Sequence, residues 1–209
     1  MIVLSIDTAL GACSAAVARD GETVAALSEP MLRGHQERLG LTVQAVMADA
    51  GLGFGELDRI GVTVGPGSFT GVRVGLAFAK GLALALDLPL VGLGTLEALA
   101  SSVEDDGLVT AVVDAKRGRV YLQSFQDRRP LGPPEALLLE AAAARLEALQ
   151  PRWVVGPGAH LFEPLGSSRI IPLAAADPAA VARLAARADA LHETPRPIYL
   201  RAPDARPSA

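Results

Sequence analysis

The chain has 209 residues, half of them hydrophobic, which suits one large or two small domains and excludes intrinsic disorder. Its 19 basic residues are outnumbered by 23 acidic ones, so a formal charge of -4 does not indicate an autonomous nucleic-acid-binding protein with a basic face. A single cysteine, Cys13, permits neither an intramolecular disulfide nor a cysteine-based zinc cluster, which favours a reducing compartment.

The N-terminal stretch, MIVLSIDTALGACSAAV, is apolar but does not indicate a signal peptide or a membrane span. It has no positively charged start, and Asp7 interrupts it well short of the ~18 apolar residues that a span requires. We therefore expect a soluble, cytoplasmic protein with no membrane contact. The stretch instead predicts two strands, 2–7 and 12–18, joined by a turn of small residues, and residues 22–28 can add a third.

A helix is expected after these strands. Between residues 35 and 50 the apolar side chains of Leu39, Val43 and Val46 recur at helical spacing, and Gly51 stands where a helix would end. The first half should be completed by a strand at 59–64, a helix at 70–86, a strand at 90–93 and a helix at 95–102 capped by the Thr95 hydroxyl. This order is that of a ribonuclease-H-like half, the building block of the actin-like or ASKHA (actin, sugar-kinase and heat-shock) α/β fold.

The second half has the pattern of a shortened copy of the first. VTAVVDAKRGRVYLQSF repeats the plan of VLSIDTALGACSAAV, so that Asp114 corresponds to Asp7, and WVVGPG echoes the earlier VTVGPG. Corresponding residues are 107 positions apart at the first match, Asp7 and Asp114, and 91 apart at the second, Gly65 and Gly156. The shorter separation indicates that the second copy has lost a turn or more of helix. The alternative is chance, because any α/β protein offers strands followed by Asp or Gly.

Two tandem α/β subdomains are therefore predicted, at residues 1–103 and 108–195. The second should contain a helix at 140–149, strands at 153–155 and 170–172, and a helix at 178–191 that starts with Asp177 as cap and Pro178 as first residue. Residues 196–209 are rich in Pro and Arg, and we expect them to run over the surface or to leave the domain as a tail.

The glycine-rich loop GPGSFTG follows a strand and opens a helix, where backbone N–H groups and the helix dipole can hold an anion. Its spacing fits none of three familiar motifs. A P-loop would need glycine in place of Val72, a dinucleotide fingerprint would need it in place of Thr70, and a nucleophile elbow would need it in place of Pro66. The loop is either a vestigial anion site or a tight turn in which Ser68 or Thr70 caps the helix. Its candidate residues are Gly65, Pro66, Gly67, Ser68 and Thr70.

The helix after this loop carries small residues at intervals of four, at Gly71, Gly75, Ala79 and Ala83. Glycine inside a helix costs about 0.8–1.0 kcal/mol relative to alanine, so two glycines indicate that another group approaches closely. Two explanations stay open. The small face packs on the chain's own sheet, or it contacts another helix, which is either the one at 35–50 or a partner's.

Catalytic candidates are few. No His or Cys lies at metal-ligand spacing from any of the three histidines, His35, His160 and His192, and Cys13 is expected to be a buried strand residue. Asp7 and Asp114, as remnant cleft acids at strand ends, could face a cleft between the halves and hold magnesium beside a nucleotide phosphate. The second half, however, has little room to enclose an adenosine. We predict no catalytic residue, no metal and no cofactor.

Several stretches together resemble one family. They are IDTALGACSAAV, HQERLGLTVQAVMADAGL, LDRIGVTVGPGSFTGVRVGLAFAKGLALALDLPLVGLGTLEALA and VVDAKRGRVYL, within residues 1–125, and PIYLR at 197–201. The family is TsaB, also called YeaZ, and the long GPGSFTG stretch is the specific part of the resemblance. The resemblance implies a bacterial subunit needed for the threonylcarbamoyl modification of the adenosine beside the anticodon of ANN-reading tRNAs. It also implies a non-catalytic, dimerising scaffold, while the paralogue TsaD transfers the group and TsaE is a small ATPase.

The resemblance also bears on metal binding and on partners. The equivalent TsaD helix has an HxxxH pair that binds the catalytic metal, whereas here His35 is followed four residues later by Leu39, so that site should be absent. The two helices are expected to meet their counterparts in TsaD, or in a second copy of this chain, in a four-helix interface. The residues expected there are His35, Leu39, Thr42, Val43, Val46, Gly71, Val72, Gly75, Leu76, Ala79 and Ala83.

The expected partners are therefore TsaD in a heterodimer, a second copy when the chain is alone, and TsaE in a larger complex, with only indirect contact to tRNA. The alternative is an ASKHA-type nucleotide-binding or peptidase-like enzyme acting alone. Turnover by the isolated chain that is lost on Asp7→Ala or Asp114→Ala would favour the enzyme. For a peptidase, no set of nucleophile, base and orienting acid can be named.

Overall fold

Five strands and three helices make up the first half of the chain in the computed structural model, which describes residues 1–189 and 194–200. They are β1 (Ile2–Asp7), β2 (Ala12–Arg19), β3 (Glu22–Pro30), α1 (His35–Asp49), β4 (Arg59–Thr63), α2 (Phe69–Leu86), β5 (Leu90–Leu93) and α3 (Thr95–Ser101). A short 3-10 helix at Phe54–Glu56 precedes β4. The strands form one sheet in the order β3-β2-β1-β4-β5, with β1, β4 and β5 parallel and β2 and β3 antiparallel to their neighbours.

The second half forms a smaller version of the same arrangement. Its elements are β6 (Val109–Lys116), β7 (Arg119–Gln126), β8 (Arg129–Pro130), β9 (Glu135–Leu138), α4 (Leu139–Leu149), β10 (Trp153–Val155), β11 (Arg169–Ile171) and α5 (Pro178–Arg187). The sheet order is β11-β10-β6-β7-β8, with β9 also pairing with β7. β6 and β7 are antiparallel, and β6, β10 and β11 are parallel, so each strand of the first sheet has a counterpart.

This correspondence confirms the predicted fold, in which the second α/β unit is a shortened copy. The 15-residue α1 corresponds to the 11-residue α4, a difference of about one helical turn. The 18-residue α2 corresponds to a single 3-10 turn at Ala159–Phe162, which follows the second GPG sequence. The copy has therefore lost most of the helix that launches from the glycine-rich loop.

The two GPG turns share an unusual backbone, which explains their glycines. Gly65 has φ 102° and Gly156 has φ 109°, a region that L side chains rarely adopt. A Cβ at Gly67 would overlap the carbonyl of Ala9, and one at Gly158 would lie 2.8 Å from the backbone nitrogen of Asp114. In each copy the turn thus packs tightly against the end of the first strand and the residues just beyond it.

Helices α3 and α5 lie between the two sheets and join the halves. α3 packs on β6 and β7 of the second sheet, while α5 packs on β1, β2 and β4 of the first. Gly61 on β4 makes room for α5, because a Cβ there would overlap the side chain of Ala185. Arg59 Nη1 donates to the carbonyls of Ala185 and Ala188 at the end of α5, which satisfies helix C-terminal acceptors.

The limits proposed for the two subdomains remain a prediction, since one apolar core spans residues of both halves.

Most predicted elements are present, with three local corrections. Thr95 does not cap α3: Gly94 is the cap residue, the Thr95 hydroxyl is buried without a hydrogen-bond partner among the described residues, and its backbone N–H donates to Gly65 O at 2.8 Å. α5 ends at Arg187 because Ala188 is extended, and Leu191 lies outside the described residues. The strands β8 and β9 were not predicted. Asp177 does cap α5, with Pro178 in its first turn.

Candidate functional site

The eleven residues predicted to contact a partner are all buried inside this chain. On α1 they are His35, Leu39, Thr42, Val43 and Val46, and on α2 they are Gly71, Val72, Gly75, Leu76, Ala79 and Ala83. They form the sides of the two helices that pack on the chain's own sheet, where most of the apolar residues among them, such as Leu39 and Leu76, join the core that includes Leu4. The expectation that these residues face a partner is therefore corrected, because a side chain enclosed by its own core is not available to another protein.

The two glycines of the stripe on α2 are required by close approach to the β1–β2 turn. A Cβ at Gly71 would overlap the carbonyl oxygen of Thr8, and one at Gly75 would overlap the Thr8 hydroxyl oxygen. That hydroxyl donates a hydrogen bond of 2.8 Å to Gly71 O. Of the two explanations for the stripe, packing within the chain is the one that the structure confirms.

The opposite sides of α1 and α2 carry exposed small and apolar residues, with the polar Gln44 among them on α1, and we call these two sides the helix face. Its α1 members are Leu41, Ala45 and Ala48, and its α2 members are Ala77, Gly81, Leu84 and Ala85. Leu84 is 86% exposed and Leu41 is 54% exposed. The half-buried Phe78 joins the helices, since it lies 3.8 Å from a Cβ built at Gly40. The sequence already held a signal for this face, because Leu41 and Leu84 are apolar although they lie on the sides of α1 and α2 opposite to the buried residues.

The composition of α2 shows the same excess of apolar residues. By length and composition alone this helix could cross a membrane, and 33% of its residues are buried. Its buried side packs on β4 and β1. A helix that is apolar on both its core side and its solvent side is typical of a surface that a partner covers.

The GPGSFTG loop has the structural role that one of its two interpretations predicts. Ser68 is the N-cap of α2, with its Oγ accepting from Gly71 N at 3.2 Å. The backbone N–H of Ser68 donates to Ala9 O at 2.7 Å, which ties the loop to the β1–β2 turn. Thr70 does not cap the helix and is exposed in its first turn.

Asp7, at the end of β1, is enclosed, with 2% of its surface exposed. Its Oδ1 accepts hydrogen bonds from Ala9 N at 2.9 Å and from the Thr63 hydroxyl at 2.6 Å, while Oδ2 has no partner among the described residues. Burial raises the pKa of the Asp7 carboxyl, and the two hydrogen bonds and the charge of nearby His35 only partly offset that rise. The expectation that Asp7 faces an open cleft is therefore wrong.

Asp7→Asn is expected to change how stability depends on pH. Because the pKa of Asp7 is raised in the folded chain, the folded state binds more protons than the unfolded state between the ordinary and the raised pKa. The stabilisation from protonated Asp7 is complete below the ordinary pKa and is lost as pH rises through the raised one. Denaturant titrations of both proteins at a series of pH values should show the variant gaining stability relative to the parent as pH rises. A difference that stays constant with pH would contradict this expectation.

Asp114, the counterpart of Asp7, has the opposite electrostatic setting. Its carboxylate accepts from Lys116 N and Lys116 Nζ, both at 2.7 Å. Partial burial raises the pKa of Asp114, but these hydrogen bonds and the lysine charge outweigh it, so the pKa lies below its ordinary value. Asp114 lines a cavity of about 600 Å³ between the two halves, together with Ser68 and His160, whereas Asp7 is not among its lining residues. The two acids are therefore not brought together in one open site.

The other candidates are placed as follows. Cys13 is buried on β2, as expected, with its thiol 3.8 Å from the Thr42 hydroxyl. His160 lies in the 3-10 turn at the cavity, and His192 lies outside the described residues. Within residues 1–189 and 194–200, no three His, Cys, Asp or Glu side chains come close enough to hold a metal together.

Comparison with known proteins gives consistent matches. The family model described as TsaD, tRNA N6-adenosine threonylcarbamoyltransferase, matches residues 29–135. The TsaB protein of Escherichia coli, named for tRNA threonylcarbamoyladenosine biosynthesis, is 37% identical over 175 residues, which are 79% of this chain and 75% of that protein. The TsaB protein of Bacillus subtilis is 35% identical over 132 residues, 63% of this chain and 58% of that protein.

Solved structures extend the match over nearly all of the chain. YeaZ from Pseudomonas aeruginosa is 25% identical, with a TM-score of 0.78 over 95% of this chain and 99% of that one. A second structure, described as an uncharacterized protein with similarity to peptidase YEAZ, is 27% identical with a TM-score of 0.82, covering 96% of this chain and 99% of that one. The chain therefore belongs to the TsaB (YeaZ) family of tRNA threonylcarbamoyladenosine biosynthesis proteins.

Proposed function

We propose that this chain is a non-catalytic scaffold subunit in the cytoplasm. It dimerises with TsaD and supports recruitment of TsaE, for threonylcarbamoyl modification of the adenosine next to the anticodon in ANN-decoding tRNAs. The observation that carries the proposal is the helix face of α1 and α2, an exposed and mostly apolar surface on two long neighbouring helices. The fully buried centre of a stable interface is more apolar than the rest of a protein surface.

The helix face suits a helix-to-helix contact. Ala45, Ala77 and Gly81 are small, so a partner helix can approach closely, and Leu84 and Leu41 offer side chains that a partner can bury. Apart from its own helix backbone, no atom of residues 1–189 and 194–200 lies within 4 Å of a Cβ built at Gly81, so packing among these residues does not require glycine there. The same face would serve the homodimer when TsaD is absent, because a two-fold dimer uses one patch twice. Contact with tRNA is proposed to be indirect, in keeping with the net charge of -4.

The geometry of the two aspartates supports a non-catalytic role over the enzyme alternative. An ATPase of the superfamily would need both acids open to one cleft, whereas Asp7 is enclosed and Asp114 is held by Lys116. The peptidase alternative would need a nucleophile with a base beside it. Ser68, the exposed serine of the loop, instead uses its hydroxyl to cap α2.

Reconstitution of tRNA modification tests the proposal. Purified TsaD and TsaE, an ANN-decoding tRNA, ATP and the threonylcarbamoyl donor are combined with and without this chain, and the modified adenosine is measured by mass spectrometry of the digested tRNA. Modification should require the chain, and the chain alone should neither modify tRNA nor hydrolyse ATP. Full modification without it would refute the scaffold role. ATP hydrolysis by the isolated chain that disappears in Asp114→Ala would establish the enzyme alternative instead.

A further inference from the structure

An aromatic and cationic cluster lies on the exposed side of α2, at its N-terminal end. The guanidinium carbon of Arg73 is 3.5 Å from the centre of the Phe69 ring, and Arg73 Nε donates to the Tyr199 hydroxyl at 2.9 Å. The centres of the two rings are 5.3 Å apart, and Phe69 and Tyr199 are 39% and 43% exposed. Aromatic residues and arginine are enriched at protein interfaces relative to the rest of the surface, so this cluster suits contact with a partner.

Tyr199 belongs to a segment that is attached to the first sheet. The backbone N–H of the neighbouring Ile198 donates to Val64 O at 2.7 Å, just beyond the end of β4. Ile198 also packs against the apolar core between this sheet and helices α1 and α2. Because Tyr199 is anchored in this way, its hydroxyl and the Phe69 ring fix the orientation of the Arg73 guanidinium before a partner binds. Such preorganisation lowers the entropic cost of an interface contact.

The cluster continues the helix face towards the start of α2. Exposed residues recur at intervals of three or four along that side of the helix, which places in one row Phe69, Arg73, Ala77, Gly81 and Leu84. The row has an aromatic and cationic end, small residues in its middle and an exposed leucine near its other end. A partner helix that lies along this row therefore contacts the cluster as well as the helix face.

The two ends of this row carry charges opposite to those that the helix dipole favours. The Arg73 guanidinium lies over Phe69, the first residue of α2, where the dipole is positive, and Asp87 is the C-cap residue, where the dipole is negative. Asp87 is exposed, and its carboxylate has no hydrogen bond or ion pair with any other residue of 1–189 and 194–200. Within the same part of the chain Arg73 has no acidic partner. A second α2 in the reverse direction supplies the opposite charge at both ends.

We propose that the α2 helices of two copies of this chain pack antiparallel in the homodimer, centred on Ala77 and Gly81, so that Arg73 of each copy contacts Asp87 of the other. The midpoint of the two small residues is six positions from Arg73 and eight from Asp87. This difference is about 3 Å along the helix, which the Arg73 side chain covers by reaching back towards the N-terminus.

The charges of the row favour this direction over the parallel one. A parallel pair would place the two Arg73 side chains together at one end and the two Asp87 carboxylates together at the other, where like charges repel. The inference rests on the helix face as the contact surface of the proposed function. It adds to that surface the direction of the partner helix and a contribution from Tyr199, which lies far from α2 in the sequence.

Charge reversal at the two positions tests the direction. Arg73→Glu and Asp87→Arg each bring like charges together at both symmetry-related contacts, so each should weaken the homodimer of the full chain about tenfold. The Kd is measured by sedimentation equilibrium at low ionic strength. In a heterodimer of one Arg73→Glu chain and one Asp87→Arg chain, opposite charges face each other again at both contacts. An equimolar mixture of the two variants should therefore dimerise within about twofold of the parent.

Asp87→Asn is the control for size. It keeps a residue type that tolerates the φ of 54° at position 87 and removes only the charge, so it should weaken the dimer less than Asp87→Arg does. Asp87→Arg also tests the contact if Arg73→Glu disturbs the stacking on Phe69, because in about 1 M salt its dimer should regain the affinity of the parent. Unfolding midpoints show whether each variant is folded.

The proposal is overturned if the parent is monomeric, if both charge reversals dimerise like the parent, or if their mixture is as weak as either variant alone. Leu84→Asp, at an exposed position of the same row, separates an error of direction from an error of surface. If it prevents dimerisation while the reversals have no effect, the helix face is the contact and the antiparallel direction is wrong. If it too dimerises like the parent, the helix face itself is not the contact.

Discussion

Replacing Gly71 with alanine should destabilise the chain by about 3 kcal/mol or more, whereas Gly81→Ala on the same helix should stabilise it by about 1 kcal/mol. A Cβ at position 71 would overlap the carbonyl oxygen of Thr8, which belongs to the backbone and cannot rotate away. The helix would have to move outward and lose the hydrogen bond from the Thr8 hydroxyl to Gly71 O. At position 81 the new methyl meets no other described part of the chain within 4 Å, so in the dissociated monomer only the better helix propensity of alanine remains.

Equilibrium unfolding of both variants measures this difference. The two substitutions are chemically identical and lie in one helix, so helix propensity favours both equally and the contrast between them reports the close approach to Thr8. Native-like stability of Gly71→Ala would show that α2 does not pack against the β1–β2 turn as described.

The result also bears on how the partner interface should be probed. A bulky residue at Gly75, which meets the Thr8 side chain, would disturb the core and could not report assembly alone.

Leu84→Asp should prevent assembly without affecting the fold. Leu84 is 86% exposed, so the free chain loses little from the substitution. In a complex through the helix face, an aspartate would be buried without a partner charge, at a cost of about 3 kcal/mol or more, which corresponds to at least a hundredfold weaker binding. The homodimer and the TsaD heterodimer should both be affected, because we propose one face for both.

Leu131→Asp is the matched control. Leu131 is another exposed leucine, 57% exposed, but it follows β8 on the second sheet, away from α1 and α2. Sedimentation of the chain alone and binding titrations with TsaD should show the loss for Leu84→Asp only, with unfolding midpoints of both variants close to that of the parent. If Leu84→Asp assembles like the parent, α2 is not the contact surface. If both variants fail to assemble, the loss of assembly cannot be assigned to the helix face.

Local patterns in the sequence predict much of this structure. The periodicity of Leu39, Val43 and Val46 predicts α1, and the repeated GPG sequence predicts the internal copy, in which Gly65 and Gly156 both have a positive φ. By contrast, β8 has only two residues, and β9 contains no β-branched or aromatic residue and is held by pairing with β7, so neither strand was predicted. Thr95 does not cap α3 because the helix begins one residue earlier than expected, with Gly94 O accepting from Ala98 N, so that Thr95 is already its first residue.

The sequence by itself determined the order of the elements, the internal repeat and the family, because these depend on local periodicity, turn chemistry and motif similarity. Only the tertiary structure decided which side of α2 is free. The stripe of small residues at Gly71 and Gly75 could equally have suited a partner helix, until Thr8, 63 residues before Gly71, was found packed against it. It also decided that Asp7 is enclosed while Asp114 is not, although their positions in the two copies correspond. Close approach and burial arise between segments far apart in the chain, so they follow from how the layers pack rather than from the spacing of residues.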